Sequence, residues 1–150
     1  MHHSFHPLLA AALLIISGFT SCQKAQIAPA TQTDALLVGR WYLTQTSGGI
    51  GGGTQPANPQ QRYEMVFGAD GQAQMLLNGT PTATSTYTLA QAVAATTQRT
   101  ETFISYTGPQ LNGHPFIGQL SATTLVLSDD NPDGLGTTYQ RVMPLICGNR

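Results

Sequence analysis

Charged residues are scarce in this sequence: Asp, Glu, Lys and Arg make up 9% of its 150 residues and leave a net charge of −1. No basic field exists to draw in nucleic acid, so electrostatics argue against a nucleic-acid partner. Long apolar runs are missing too. The longest, Leu8 to Ile16, falls well short of the ~20 residues that span a bilayer as a helix. Cysteine occurs twice, at Cys22 and Cys147, enough for one disulfide at most. Gly, Thr, Gln, Ser and Pro stand where Lys and Glu are more usual. That palette disfavours helices and favours strands and turns. The length allows one domain with a single modest core.

What is present begins with the short apolar run itself, which fits the central part of a secretory signal. Ser17 and Gly18 break it, and Phe19-Thr20-Ser21-Cys22 follows. This resembles a bacterial lipoprotein box, with small residues ahead of a cysteine that receives diacylglycerol. The resemblance implies cleavage before Cys22, lipid on its thiol and attachment to a bacterial membrane. Two features depart from the usual pattern: Phe19 stands where Leu is commoner, and residues 1–6 contain histidines but no Lys or Arg. An ordinary secretory signal followed by a coincidental cysteine is the competing reading. A bridge between Cys22 and Cys147 is the other, since lipidation leaves Cys147 as a lone thiol.

Residues 22–34 are polar and without apolar period, which reads as a flexible tether. No acidic cluster follows Cys22. In some bacterial groups such clusters direct lipoproteins to the cell surface, so a periplasm-facing position in the cell envelope is expected. Residues 1–21 are thus a signal peptide, 22–34 a tether and 35–150 the folded domain.

In that domain short alternating runs are separated by turn chemistry. Leu37 to Thr44 puts Leu37, Gly39, Trp41 and Leu43 on one face. A glycine-rich loop, Ser47 to Gly53, runs on past Pro59. Tyr63, Met65 and Phe67 alternate with Glu64 and Val66, and Asp70-Gly71 then turns the chain into Ala73, Met75 and Leu77. Asn78-Gly79 is a second such turn. Strands follow at Thr84–Leu89, Thr100–Thr107, Pro115–Leu120, Thr123–Ser128 and Thr137–Met143, while Gln91–Thr97 could form a helical turn. The expected fold is all-β: an antiparallel up-and-down meander of about eight strands, closed or nearly closed.

Leu37-Val38-Gly39-Arg40-Trp41 resembles the Gly-x-Trp opening of lipocalin and lipocalin-like domains, and Leu120 to Leu127 with Tyr139-Gln140-Arg141 resembles their last two strands. The likeness covers about residues 36–143. It implies that Trp41 plugs one barrel end, that Arg141 lies across its indole, and that Gly39 leaves room for both. The alternative makes Trp41 a plain core aromatic and Arg141 an exposed strand residue. The resemblance also implies a small hydrophobic ligand. Tyr63, Met65, Phe67, Met75, Leu77, Tyr87, Phe103, Leu125 and Leu127 are the candidate lining. The same side chains could instead fill a small barrel, leaving a structural or protein-interaction module with no ligand.

Catalytic chemistry is hard to assemble from this chain. Past the leader the only histidine is His114, in a turn. Glu64 and Glu101 fall on strands in opposite parts of the chain. They could face each other across a lumen as hydrolase carboxylates do, but solvated outer-face positions are expected. The glycine loop lacks the Lys-Ser/Thr and the helix of a phosphate cradle, and no cofactor motif is present. Asp129, Asn131 and Asp133 with Gly134 open like a calcium loop, but Gln140 holds the twelfth place and strands flank it, so a polar hairpin turn accounts for the segment equally well. A binding protein rather than an enzyme is expected.

Overall fold

A computed structural model describes residues 32–108, 111 and 113–143. Cys22, Cys147, the signal peptide and most of the tether lie outside the described residues. One short helix, α1 (Gln32–Leu37), precedes nine strands: β1 (Gly39–Gly48), β2 (Thr54–Pro56), β3 (Tyr63–Phe67), β4 (Gln72–Leu77), β5 (Thr80–Val93), β6 (Thr100–Thr107), β7 (Phe116–Leu120), β8 (Thr124–Ser128) and β9 (Leu135–Arg141).

Every pairing is antiparallel. The order β1-β3-β4-β5-β6-β7-β8-β9 returns to β1, so eight strands close into an up-and-down barrel. Closure leaves these eight no free edge. β2 is extra. It pairs with Gln45–Ser47 of β1, beyond the stretch Gly39–Tyr42 that pairs with β3.

Turn chemistry sets the register of the first hairpins. At Asp70-Gly71 the Gly71 φ is 77°, and Gly68 N–H donates to Gln72 O at 2.8 Å. At Asn78-Gly79 both residues take positive φ, 51° and 81°, as a primed two-residue turn demands. Met65 therefore faces Met75, and Phe67 faces Ala73, on the inner surface.

The core is the barrel interior. Leu37, Trp41, Met65, Phe67, Ala73, Ala83, Ile104, Ile117, Leu125 and Leu127 are buried together there. A second cluster, Ala94, Phe103 and Phe116, packs on the outside. Here the sequence expectation fails, because Phe103 points away from the interior while Ile104 and Tyr106 take the inward places. The run Phe-Ile-Ser-Tyr is apolar on both alternating faces, so period two could not choose between them.

Four other expectations are corrected. Residues 32–34 belong to α1 rather than to the tether, and Leu37 ends that helix instead of starting a strand. β2 lies inside the segment read as loop. Residues 91–93 extend β5 because Gln91, Ala92 and Val93 find ladder partners in Thr102, Glu101 and Thr100. Glu64 faces outward as expected but is 1% exposed, not solvated.

Candidate functional site

The barrel end near α1 is sealed by two side chains packed beside a glycine. Trp41 is fully buried, and its Nε1–H donates to Leu37 O at 2.8 Å. Arg141 is its ladder partner on β9, and the Arg141 guanidinium carbon stands 4.0 Å from the indole centroid. Arg141 Nε–H donates to Ala122 O at 2.7 Å and Nη1–H to Val38 O at 2.8 Å, while Nη2–H donates to Leu36 O. Desolvation lowers the guanidinium pKa below its usual value. Gly39 takes φ 144°, and a Cβ there would run into Arg141 Nη1. The three residues singled out in the sequence meet at one point.

One rung further along the same inner face lies a pocket of about 230 Å³, lined by Leu43, Tyr63, Met65, Met75 and Tyr139 and bordered by Glu64, whose carboxylate is bound on the outer face. Its walls come from neighbouring strands: Leu43 pairs with Tyr139 across β1–β9, and Met65 with Met75 across β3–β4. Met65 is also the ladder partner of Trp41, so the pocket borders the sealed end. Burial raises the Tyr139 phenol pKa, with the Thr137 hydroxyl acting in the opposite sense.

Of the candidate lining residues, Tyr63, Met65 and Met75 border this pocket. Phe67 packs edge-on against Tyr87 with ring centroids 5.2 Å apart, and Leu125 and Leu127 belong to the same packed core. Tyr87 O–H donates to Gly68 O at 3.0 Å, and burial, then the nearby Asp34 and Asp70, raises its pKa. Leu77 is half-buried outside the pocket lining. Sequence reading missed Leu43 and Tyr139 as lining residues. The signal was available, since each lies two places from a sealing residue, Trp41 or Arg141, and so shares its face.

On the outer face, Glu64 receives Arg40 in a two-point contact at 3.1 and 2.5 Å and Arg62 Nε–H at 2.9 Å. Burial pushes its carboxyl pKa up, but bonds and charges from the two arginines outweigh this and hold it below the usual range. Also on the outer face, Ser105 Oγ lies 2.8 Å from His114 Nδ1, and the imidazole stacks on Phe103 at 4.7 Å.

In the 129–134 turn, Asp129 accepts from Leu135 N–H at 3.2 Å. Asp130 accepts from Ala95 N–H, Thr96 N–H and Thr96 Oγ1–H at 2.8 to 2.9 Å. Asp129 is thus bonded within its own hairpin. Among the described residues no group of three or more His, Cys, Asp or Glu is arranged to hold a metal ion.

Fold and site together define a small closed β-barrel with one sealed end and an apolar pocket above the seal. No family model, no curated protein and no solved structure matches the chain.

Proposed function

We propose that this chain is a bacterial envelope lipoprotein, lipidated on Cys22 and facing the periplasm, whose lipocalin-like barrel holds one small hydrophobic molecule. The observation that carries the binding part is the pocket of about 230 Å³ whose lining includes Met65, the ladder partner of Trp41. An eight-stranded barrel has an interior that is either filled by side chains or just able to hold one small ligand. The anchoring part rests on the Thr20-Ser21-Cys22 box behind a short apolar run.

Two experiments test the two parts. Full-length protein expressed in a bacterium should incorporate labelled palmitate and sediment with membranes, and Cys22→Ala should abolish both. Persistent labelling of the alanine variant defeats the anchor. Native mass spectrometry of protein released gently from membranes should show one bound small molecule, lost on denaturation.

A second reading has its own support. Leu37, Trp41, Ala73 and Leu125 are fully buried and Phe67 is 1% exposed, so the sealed half of the barrel is packed solid. On that reading the domain is a structural or protein-interaction module of the envelope. Release of an empty barrel whose melting temperature no small apolar compound raises would favour it.

A further inference from the structure

Size, wall chemistry and charge placement narrow the ligand further, and we infer that the pocket accepts an uncharged single-ring aromatic compound bearing one hydrogen-bonding group, rather than an acyl chain or a carboxylate. The inference rests on the pocket reading above and fixes the ligand class that it leaves open.

Volume comes first. The pocket's ≈ 230 Å³ exceeds the ~150 Å³ that encloses benzene and falls below the ~300 Å³ where pockets for drug-sized ligands begin. One ring with a small substituent fits; a long acyl chain does not. The walls come next. The cross-strand pair Met65 and Met75 sets two thioethers on one side, and Tyr139 and Tyr63 add two phenol rings. Sulfur–aromatic and ring–ring contacts favour a flat π-system over a saturated group of equal volume.

Charge completes the selection. The described residues contain four cations: Arg40, Arg62, Arg99 and Arg141. Arg40 and Arg62 clamp Glu64 on the outer face, and Arg99 sits exposed at the tip of the β5–β6 hairpin. Arg141 is held by three backbone carbonyls beside Trp41. A carboxylate in the pocket would find no free cation among them and would lie beside Glu64, which borders the pocket, so an anion is disfavoured there. The phenol hydroxyls of Tyr139 and Tyr63 are the neutral polar groups of the lining that can meet a ligand's single polar atom. Tyr139, the more buried of the two, would share its hydrogen bonding between the ligand and the Thr137 hydroxyl.

The test uses the full chain with carbon-13 methyl-labelled methionine, in which Met65 and Met75 report from inside the pocket. The probes are p-cresol, its saturated counterpart 4-methylcyclohexanol, toluene and octanoate. Saturable ring-current shifts of both methyl resonances are expected with p-cresol, with roughly fivefold weaker binding of the saturated alcohol and none of octanoate. Tyr139→Phe should weaken p-cresol up to roughly tenfold and leave toluene unchanged. If octanoate or the saturated alcohol binds as tightly as p-cresol, the aromatic inference falls while the pocket reading stands. If no probe moves either resonance at millimolar concentration, both fall.

Discussion

The guanidinium of Arg141 covers the indole of Trp41 at 4.0 Å and simultaneously ties α1, the start of β1 and the β7–β8 turn together through the carbonyls of Leu36, Val38 and Ala122. The first and last strands of the barrel are thereby locked at the end where they close. Replacement by Lys keeps the charge but not the fork that reaches three acceptors, and Arg141→Lys should destabilise by about 2 kcal/mol. Arg141→Ala also loses the cation–π contact, about 1 kcal/mol more. Gly39→Ala should act on the same lock from the other side, because its φ of 144° is strained for a side chain and its Cβ displaces Nη1. Urea unfolding followed by fluorescence measures all three, since Trp41 is the sole tryptophan. Native-like stability in Arg141→Ala would mean that the lock is ornamental.

Glu64 should make the barrel acid-sensitive. Its carboxyl is held below the ordinary 4.5 by Arg40 and Arg62 despite burial, so the native state binds fewer protons than the unfolded chain. The stabilisation is complete above that ordinary value and is lost as pH falls through the lower folded value. Glu64→Gln should remove about one proton's worth of slope from stability against pH below the ordinary value. At neutral pH it should cost about 1–3 kcal/mol, less than for a fully buried pair because Arg40 and Arg62 are 44% and 53% exposed. An unchanged acid slope in the variant contradicts this account.

Asp130 clasps the tip of the β5–β6 hairpin to the β8–β9 turn. The backbone bonds from Ala95 and Thr96 are the main reason that its carboxyl pKa lies below its ordinary value. Asp130→Ala should leave global stability nearly unchanged, while the amides of Ala95 and Thr96 lose their protection from hydrogen exchange. Lowering the pH through the depressed pKa should release the same two amides in the unmodified protein. Equal exchange rates in variant and parent would rule the clasp out.

Where pattern and turn chemistry agree, the sequence is readable. Asp70-Gly71 and Asn78-Gly79 set the register that turns Tyr63, Met65 and Phe67 inward, and a Gly-x-Trp near a late Arg located the sealed end. Three things lay beyond it. The burial of Glu64 depends on Arg40 from the neighbouring strand and on Arg62 beside it, and neither strand's own alternation reports that meeting. β2 spans three residues of a glycine- and proline-rich stretch, too short for any period. In β6, Phe103 and Ile104 are equally apolar neighbours, and only closure of the barrel decides which one faces in.

Phe103 instead guards the thinnest seam. β6 and β7 share a single ladder pair, Phe103 with Phe116, supplemented by Ile104 N–H donating to Pro115 O at 2.8 Å. What the backbone lacks, side chains supply from outside. The Phe103 ring is 3% exposed, stacks on His114 at 4.7 Å and tilts against Phe116 at 5.8 Å. Phe103→Ala removes this cover and should destabilise by about 3–4 kcal/mol. More tellingly, the amides of Ile104 and Ile117 should exchange through a local opening well below the global unfolding free energy. Phe103→Leu, which keeps most of the apolar volume, should restore much of that protection. Should both amides in Phe103→Ala still exchange only by global unfolding, the β6–β7 seam is held by something other than this aromatic patch.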